Sequence, residues 1–212
     1  PTALRALNAA VVSDVLDSLG LMDQAMKPFM RPLDDALQLI GRARTGLYMP
    51  VYEHREGENP YEVEIALVDD LKPHDVVVLA CDGPTDRIAP WGELLSTAST
   101  ARGAAGCVTD GLVRDVKQIR EMRFPVFAGG IGPLDTKGRA RMVERDVPVR
   151  CAGVSVHPGD LVFGDVDGVV VIPRAQEREV VARAIAKVSG ENQSREALQR
   201  ARAAAAATVL AP

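Results

Sequence analysis

The segment from Trp91 to Asp115 predicts a helix, a strand and a second helix, with a glycine at each joint. The expected bounds are about Trp91 to Arg102, Ala105 to Thr109 and about Val113 to Met122. The continuous apolar run at 76–80 predicts a strand that is covered on both faces, and 125–128 predicts another. Strands that alternate with helices require crossover connections, so at least part of the sheet is expected to be parallel.

The segments before this one predict two helices and a long strand. A helix is expected from roughly Ala3 to Leu19, because apolar residues recur on one face and Gly20 suits its C-terminal end. Leu39 to Tyr52 predicts a strand in which Gly41 and Gly46 mark bulges or close approaches.

A second helix is expected to begin at Asn59, with Asn59 as the cap and Pro60 at the first helical position. Glu62 is placed for a reciprocal cap. The buried stripe of this helix would then contain Tyr61, Ile65 and Val68.

The chain changes character after Gly130, where short strands and then helices are expected. The predicted elements are a polar loop at Ile131 to Asp146, strands at Pro148 to Val156, Asp160 to Asp165 and Gly168 to Ile172, and helices at about Ala175 to Val188 and Glu191 to Val209, broken at Ser189-Gly190. The turn at 165–168 suits a hairpin, so the predicted fold is α/β with a mixed sheet. No repeat or linker divides the chain, and residues 1–212 are expected to form one domain with a C-terminal helical arm at about 175–209.

Charge and cysteine usage narrow the class of protein. The 212 residues carry a net charge of −4 with both signs interspersed, which argues against a nucleic acid or an anionic membrane as the main partner. No apolar run has transmembrane length, and the start lacks the layout of a signal peptide. Three scattered cysteines among small or apolar residues favour buried, reduced thiols in a cytoplasmic protein over a catalytic or metal-binding role.

The helix start at Gly92 to Leu95 is a candidate anion site. The first N–H groups of a helix have no internal partner and carry partial positive charge, so a carboxylate or phosphate can bind there. Gly92 would let a ligand approach the backbone, while Leu94 and Leu95 would point their N–H groups outward and pack their side chains inward. An ordinary helix start is an equally good interpretation of this spacing.

The second helix start, at Asp110 to Asp115, offers oxygen and guanidinium groups. Gly111 is expected to turn the chain out of the sheet, and an Arg–Asp pair at such a place is commonly a solvated cap. However, the two helix starts belong to successive strand–helix units of the sheet, so they can face one crevice. Asp115 could then hold Mg²⁺ or Mn²⁺, Arg114 could stabilise an oxyanion, and Glu93 could orient a water or move a proton.

Several ordered motifs resemble the RraA-like family, which includes 4-hydroxy-4-methyl-2-oxoglutarate aldolases and regulators of ribonuclease E activity. The matching stretches are Trp91 to Ala98, Arg102 to Asp115, Phe124 to Ala128, Cys151 to Asp160, Asp165 to Pro173 and Ser13 to Asp17. The resemblance implies a compact α/β fold with a swivelling β/β/α core, flanking helices and assembly as a homotrimer or homohexamer. It also implies a metal-dependent lyase that cleaves 4-hydroxy-2-oxo acids through a metal-stabilised pyruvate enolate and decarboxylates oxaloacetate.

Carried over by position, the resemblance assigns a role to each candidate residue. The backbone of Gly92 to Leu95 would bind the pyruvate carboxylate, and Arg114 would contact the substrate and stabilise the enolate. Asp115 would hold Mg²⁺, or Mn²⁺, directly or through water. Glu93 stands where the aldolases have an acidic residue that positions a catalytic water.

The chain also departs from the family pattern. Many members have Gly-Asp-Asn followed closely by a histidine, whereas this chain has Gly57-Glu58-Asn59 with no histidine after it. Glu191 is a candidate for the glutamate that the aldolases borrow from a neighbouring subunit. A ribonuclease-inhibiting protein of the same family is the alternative function. A methyltransferase is disfavoured, because the N-terminal part lacks the glycine-rich turn of a nucleoside cofactor site.

Overall fold

A computed structural model describes residues 3–54 and 56–209. The helices are α1 (Ala9–Ser18), α2 (Glu62–Asp69), α3 (Glu93–Ala101), α4 (Val116–Met122) and α5 (Glu177–Val209), preceded by a 3₁₀ turn at Leu4–Ala6. The strands are β1 (Arg31–Pro32), β2 (Leu39–Pro50), β3 (Asp75–Ala80), β4 (Gly106–Val113), β5 (Val126–Ile131), β6 (Ala140–Arg145), β7 (Val149–Cys151), β8 (Val154–Val156), β9 (Leu161–Asp165) and β10 (Gly168–Ile172).

A mixed sheet organises the chain, as the sequence predicted. The strand order is β1-β5-β4-β3-β2-β9-β10, in which β2, β3, β4 and β5 are parallel. The long strand β2 pairs antiparallel with β9 through its first residues and with β6 through its last. Strands β7 and β8 form a separate hairpin. The carboxyl ends of β3 and β4 therefore lie at one edge of the sheet, beside the starts of α3 and α4.

Side chains of the central strands alternate between two apolar clusters, one on each face of the sheet. In β3, Val77 and Leu79 join the cluster that contains Trp91 and Ile119, whereas Val76 and Val78 join the opposite cluster around Phe127. This double coverage confirms the interpretation of the apolar run at 76–80. A third cluster packs α1 and the start of α5 against β9 and β10.

The first helix is shorter than predicted. Asn8 accepts a hydrogen bond from the N–H of Val11 at 2.8 Å and caps α1, so the helix begins at Ala9 and not at Ala3. The face predicted to be buried does pack into the core, and Gly20 has the left-handed conformation expected after a helix end.

The start and the buried face of α2 also differ from the prediction. Asn59 accepts the N–H of Tyr61 at 3.1 Å in a local turn, and the helix begins only at Glu62. Ile65 is 44% exposed, and the buried positions are Glu64, Leu67 and Val68. Val68 is thus buried as predicted, but Ile65 is exposed, and Glu64 and Leu67 are buried instead.

Three further boundaries correct the sequence prediction. Strand β4 does not leave the sheet at Gly111 but continues to Val113, with a register shift after Thr109. The predicted loop at 131–146 contains β6, and α5 runs through Gly190 without a break. The hairpin turn at 165–168 is confirmed, because β9 and β10 are antiparallel and Asp165 pairs with Gly168 next to the turn.

The cysteines and the glycines of β2 behave as predicted. Cys81, Cys107 and Cys151 are free and buried. A side chain at Gly41 would meet the carbonyl oxygen of His74 at 2.1 Å, and one at Gly46 would meet Met142, so both are close approaches. Within the described residues, no helix combines the length and apolar character needed to cross a membrane.

Candidate active site

The two helix starts singled out in the sequence meet at the edge of the sheet. The backbone N–H of Glu93, the first residue of α3, donates to Oδ2 of Asp115 at 3.1 Å. The chain segments are also joined by their backbones, because the N–H of Arg114 donates to the carbonyl of Trp91 at 3.0 Å. The two helix starts therefore lie together, as the sequence predicted.

Asp115 occupies the N-cap position of α4, but its side chain does not cap that helix. Its backbone has the left-handed conformation, with φ at 57°, and its side chain makes no capping bond to α4. The carboxylate instead closes the N-terminus of α3, where the helix dipole favours a negative charge. Asp115 is therefore at the cap position of its own helix, as that interpretation held, but its side chain binds the other helix start.

Gly92 gives this carboxylate the space it occupies. The backbone of Gly92 is extended, so the glycine is not required by its dihedral angles. A Cβ at this position would lie 2.6 Å from Oδ2 of Asp115 and 3.1 Å from Cγ of Arg114. The glycine is required by the close approach of both side chains.

The predicted anion cradle is partly filled by the protein itself. The first intrahelical bond of α3 runs from the N–H of Ser96 to the carbonyl of Gly92, so the N–H groups of Leu94 and Leu95 precede it. The N–H of Glu93 already donates a hydrogen bond to Asp115. The side chain of Leu95 packs against the core as predicted, but that of Leu94 is 77% exposed, which corrects the prediction that it packs inward.

The Glu93 side chain has a partner on its own helix. Its Oε1 accepts a hydrogen bond from the hydroxyl of Thr97 at 2.8 Å, one helical turn further on. Glu93 therefore lies at the site through both its N–H and its carboxylate, while the carboxylate is oriented along the exposed side of α3.

Arg114 lies between two carboxylates. Its Nε is 3.9 Å from Oδ2 of Asp115, and its Nη1 is 3.7 Å from Oδ1 of Asp135. Asp135 in turn accepts a hydrogen bond at 2.6 Å from the hydroxyl of Tyr61. Sequence reasoning missed Asp135, because it stands in a polar stretch that carries no periodic signal and reaches the site only through the fold.

Glu64 is the second acidic residue that the sequence did not reveal. It is 8% exposed and accepts a hydrogen bond from the hydroxyl of Tyr48. The pKa of Glu64 is raised to about 7, mainly by burial and also by the charge of Asp135, although the Tyr48 bond and the charge of Arg114 oppose the shift. A glutamate inside an apolar helical stripe was the available signal, but the misplaced buried face of α2 concealed it.

Asp110 serves the fold beside the site. Its buried carboxylate accepts the N–H groups of Cys81 at 2.7 Å, Gly83 at 3.0 Å and Ala152 at 3.2 Å. Burial raises the pKa of Asp110, although these three bonds oppose the shift. The carboxylate ties the end of β3 and the β7–β8 turn to β4.

The donor set suits a magnesium-type ion more than a structural zinc. Across residues 3–54 and 56–209, no group of three His, Cys, Asp or Glu side chains could hold a metal ion. Mg²⁺ keeps several waters and needs only one or two carboxylates, and the Asp115 side chain is 42% exposed at the helix starts. The chemistry of Asp115 is therefore compatible with a single protein ligand to such an ion.

Two clefts of the chain do not include Arg114 or Asp115 in their lining. One of about 530 Å³ is lined by Lys27, Asp110 and Arg150, among others, and a groove of about 1100 Å³ contains Arg42 and His74. Glu191 lies on α5, whose buried residues Val180 and Ala184 join the cluster around α1. Its assignment to a neighbouring subunit's site stays a prediction.

Comparison with known proteins shows the family to which the chain belongs. Residues 9–171 match the family model described as RraA-like: Aldolase/RraA. Protein DlpA of Legionella pneumophila is 34% identical over 179 residues, which cover 84% of this chain but 28% of DlpA. A protein of Halalkalibacterium halodurans, provisionally named 4-hydroxy-4-methyl-2-oxoglutarate aldolase, is 32% identical over 92% of this chain and 86% of its own length.

The fold also matches solved structures. Streptomyces coelicolor RraAS2, described as an unusual member of the RNase ES inhibitor RraA protein family, superposes with a TM-score of 0.79 at 30% identity. The match covers 92% of this chain and 96% of that one. The similarity thus includes proteins named for an enzyme activity and proteins named for inhibition of a ribonuclease.

Proposed function

Since the chain belongs to the RraA-like family, we propose that it is a lyase that releases pyruvate from 4-hydroxy-2-oxo acids and decarboxylates oxaloacetate with the help of Mg²⁺ or Mn²⁺. The observation that carries the proposal is the junction of Asp115 with the Glu93 N–H, with the Arg114 guanidinium beside it. It brings a carboxylate, a positive charge and the N–H groups of a helix start to one point. Relatives provisionally named as aldolases support it.

In this proposal, different residues bind the substrate, hold the metal ion and stabilise the developing charge. The N–H groups of Leu94 and Leu95 would bind the carboxylate of the 2-oxo acid. Mg²⁺ at Asp115 would supply Lewis-acid polarisation of the 2-oxo group. Arg114 would stabilise the negative charge that develops on the 2-oxo oxygen when the C3–C4 bond breaks.

Proton movement completes the reaction. The 4-hydroxyl group loses its proton as the C3–C4 bond breaks, and C3 of the released enolate gains one to give pyruvate. Glu93, at the start of α3, would orient the water that carries this proton. The pair of electrons from the broken bond rests on the enolate until C3 is protonated, so no oxidant or reductant is needed.

The test is pyruvate release from oxaloacetate and from 4-hydroxy-4-methyl-2-oxoglutarate, with Mg²⁺, with Mn²⁺ and with a chelator. The protein-free rate is subtracted, because divalent ions alone decarboxylate oxaloacetate. We expect metal-dependent release by the native protein, a large loss in Asp115→Ala, and an unchanged rate in Asp35→Ala, an exposed position at the opposite end of the parallel strands. Native protein without turnover of either substrate would refute the function, and an active Asp115→Ala would refute the site.

Assembly is a separate part of the proposal. The site is open at the surface of the single chain, beside the exposed Leu94. We expect a homotrimer or homohexamer in which a neighbouring subunit, through Glu191 or another group, completes the site. Native mass spectrometry and the kinetics of Glu191→Gln test the two statements separately.

Inhibition of a ribonuclease is the second candidate, favoured by the similarity to RraAS2 over 96% of that chain. It requires a protein-binding surface and no turnover. A ribonuclease assay with the purified protein, run beside the aldolase assay, separates the two functions. Inhibition that persists in Asp115→Ala would show that it does not use the candidate active site.

A further inference from the structure

Asp135 is an acidic residue at the site to which the family resemblance assigns no role. It lies 20 positions after Asp115 in sequence, in the connection between β5 and β6, and its side chain is half-buried. The connection is anchored on both sides: the N–H of Ala89 donates to the carbonyl of Leu134, and the N–H of Ala140 donates to the carbonyl of Thr136. Asp135 is therefore presented from an ordered segment.

Both carboxylate oxygens of Asp135 have fixed donors. Oδ2 accepts the hydroxyl of Tyr61 at 2.6 Å, and Oδ1 accepts the N–H of Thr136 at 2.8 Å. Burial alone would raise the pKa of Asp135, but the Tyr61 hydroxyl, the Thr136 N–H and the charge of Arg114 together lower it. The pKa of Tyr61 is raised to about 12, mainly by burial and by its bond to Asp135, so the hydroxyl keeps its proton in neutral solution. The carboxylate is thus held in place by two hydrogen-bond donors, neither of which is Arg114.

Arg114 has this carboxylate near one end of its guanidinium. Its guanidinium has Asp115 near Nε, at 3.9 Å, and Asp135 near Nη1, at 3.7 Å. These separations are ion pairs and not hydrogen bonds, so each contributes little stability. Two fixed negative charges at different nitrogens nevertheless select one orientation of a long, partly exposed side chain that would otherwise sample many rotamers.

We propose that Asp135, itself held by the Tyr61 hydroxyl, is a positioning residue that directs the Arg114 guanidinium at the site. The inference rests on the proposed function for its kinetic consequence, but the orientation of Arg114 can be measured without turnover. Tyr61 and Asp135 act on the substrate only through Arg114. Removal of either should therefore disturb the same step.

The variants are chosen to keep the shape of each side chain. Asp135→Asn removes the charge, and Tyr61→Phe removes one hydroxyl. Tyr52→Phe, at a tyrosine that is exposed and stacked under Arg87, is the matched control for the hydroxyl. Asp35→Asn, at an exposed aspartate at the opposite end of the parallel strands, is the matched control for the charge.

The first readout is the Nε–Hε NMR signal of Arg114, assigned by its disappearance in Arg114→Lys. We expect Asp135→Asn and Tyr61→Phe to shift this signal and to speed its exchange with water, while both controls leave it unchanged. An unchanged Arg114 signal in both site variants would overturn the proposal. This readout stands even if the native protein turns over neither substrate, a result that would refute only the proposed function.

The second readout is the kinetics of pyruvate release. Because a misdirected guanidinium stabilises the developing charge less well, we expect kcat to fall by about 10- to 100-fold in Asp135→Asn with a change in KM below about threefold. Tyr61→Phe should show a smaller loss in kcat. The double variant should be no slower than Asp135→Asn alone, because both act through one carboxylate. Losses that multiply in the double variant, or an unaltered kcat in Asp135→Asn, would contradict positioning by this pair.

Discussion

Gly92 and Asp115 approach so closely that a Cβ on Gly92 would lie 2.6 Å from Oδ2 of Asp115. This distance is shorter than any normal contact between a carbon and an oxygen atom. Gly92 therefore leaves room at the start of α3 for the carboxylate of Asp115, which lies 22 positions after Glu93 in the chain.

Gly92→Ala should displace Asp115 and Arg114 together. We expect pyruvate release to fall by about 10-fold or more, since a displacement of about 1 Å in such a site can cost about 100-fold. Gly190→Ala is the matched control, because Gly190 is exposed within α5 and a Cβ there would meet nothing within 4 Å. That control should keep full activity and gain roughly 0.5–1 kcal/mol in local helix stability. A fully active Gly92→Ala would show that the close approach is not needed.

Divalent ions should stabilise the folded protein through Asp115. A ligand that binds only the folded state stabilises it by RT ln(1 + [L]/Kd), so the melting temperature rises with ligand concentration. We expect Mn²⁺ or Mg²⁺ to raise the Tm of the native protein and to leave that of Asp115→Asn unchanged. Differential scanning fluorimetry across a metal titration measures this effect without any substrate. An equal shift in both proteins would place the ion elsewhere.

Glu64→Gln should make stability less dependent on pH. Glu64 keeps its proton up to about pH 7 in the folded protein but loses it near its ordinary value of 4.5 when unfolded. Between these values the folded state binds more protons, so the free energy of unfolding falls as pH rises from about 4.5 to 7. Glu64→Gln has no carboxyl group to titrate, so its free energy of unfolding does not fall in this way. Relative to the native protein, it should gain roughly 2–3 kcal/mol between the two ends of that pH range.

Urea unfolding of both proteins at each end of this range is the measurement. Glutamine can still accept the hydrogen bond of Tyr48, so the two proteins should be similar at the acidic end. A difference in stability that stays constant with pH would argue against a raised pKa of Glu64.

Asp110→Ala should destabilise the fold strongly. The substitution leaves the buried N–H groups of Cys81, Gly83 and Ala152 without their acceptor. Each unsatisfied buried donor costs about 1–3 kcal/mol, so we expect a total loss of roughly 3–5 kcal/mol after local relaxation. Asp17→Ala, at an exposed position of α1, should change the free energy of unfolding by less than about 0.5 kcal/mol. Guanidinium unfolding compares the two variants.

Local patterns in the sequence were sufficient for the parallel half of the sheet. The apolar run at 76–80 and the glycine joints around 92 and 103 predict a strand and helix ends that the structure contains. These signals are local, because periodicity and helix ends depend on residues close in sequence. The meeting of the two helix starts followed from the same signals, since successive units of a parallel sheet end at one edge.

The missed features depend on partners distant in sequence. Strand β6 is polar on its exposed face and is defined by pairing with the end of β2, about 90 residues earlier. Tyr61 and Asp135 are 74 positions apart and meet only in the folded chain. Glu64 is buried because Tyr48 from β2 supplies a donor for it. No spacing within one segment can indicate such contacts.

The carboxylate of Asp115 links the two ends of the candidate site. The oxygen that accepts the first N–H of α3 belongs to the same group that would hold a cation. A cation that draws this carboxylate outward would free the N–H of Glu93 for an incoming anion, and an anion that takes the N–H would release the carboxylate. Each ligand would then favour the other by the same factor, because coupling between two binding equilibria is reciprocal.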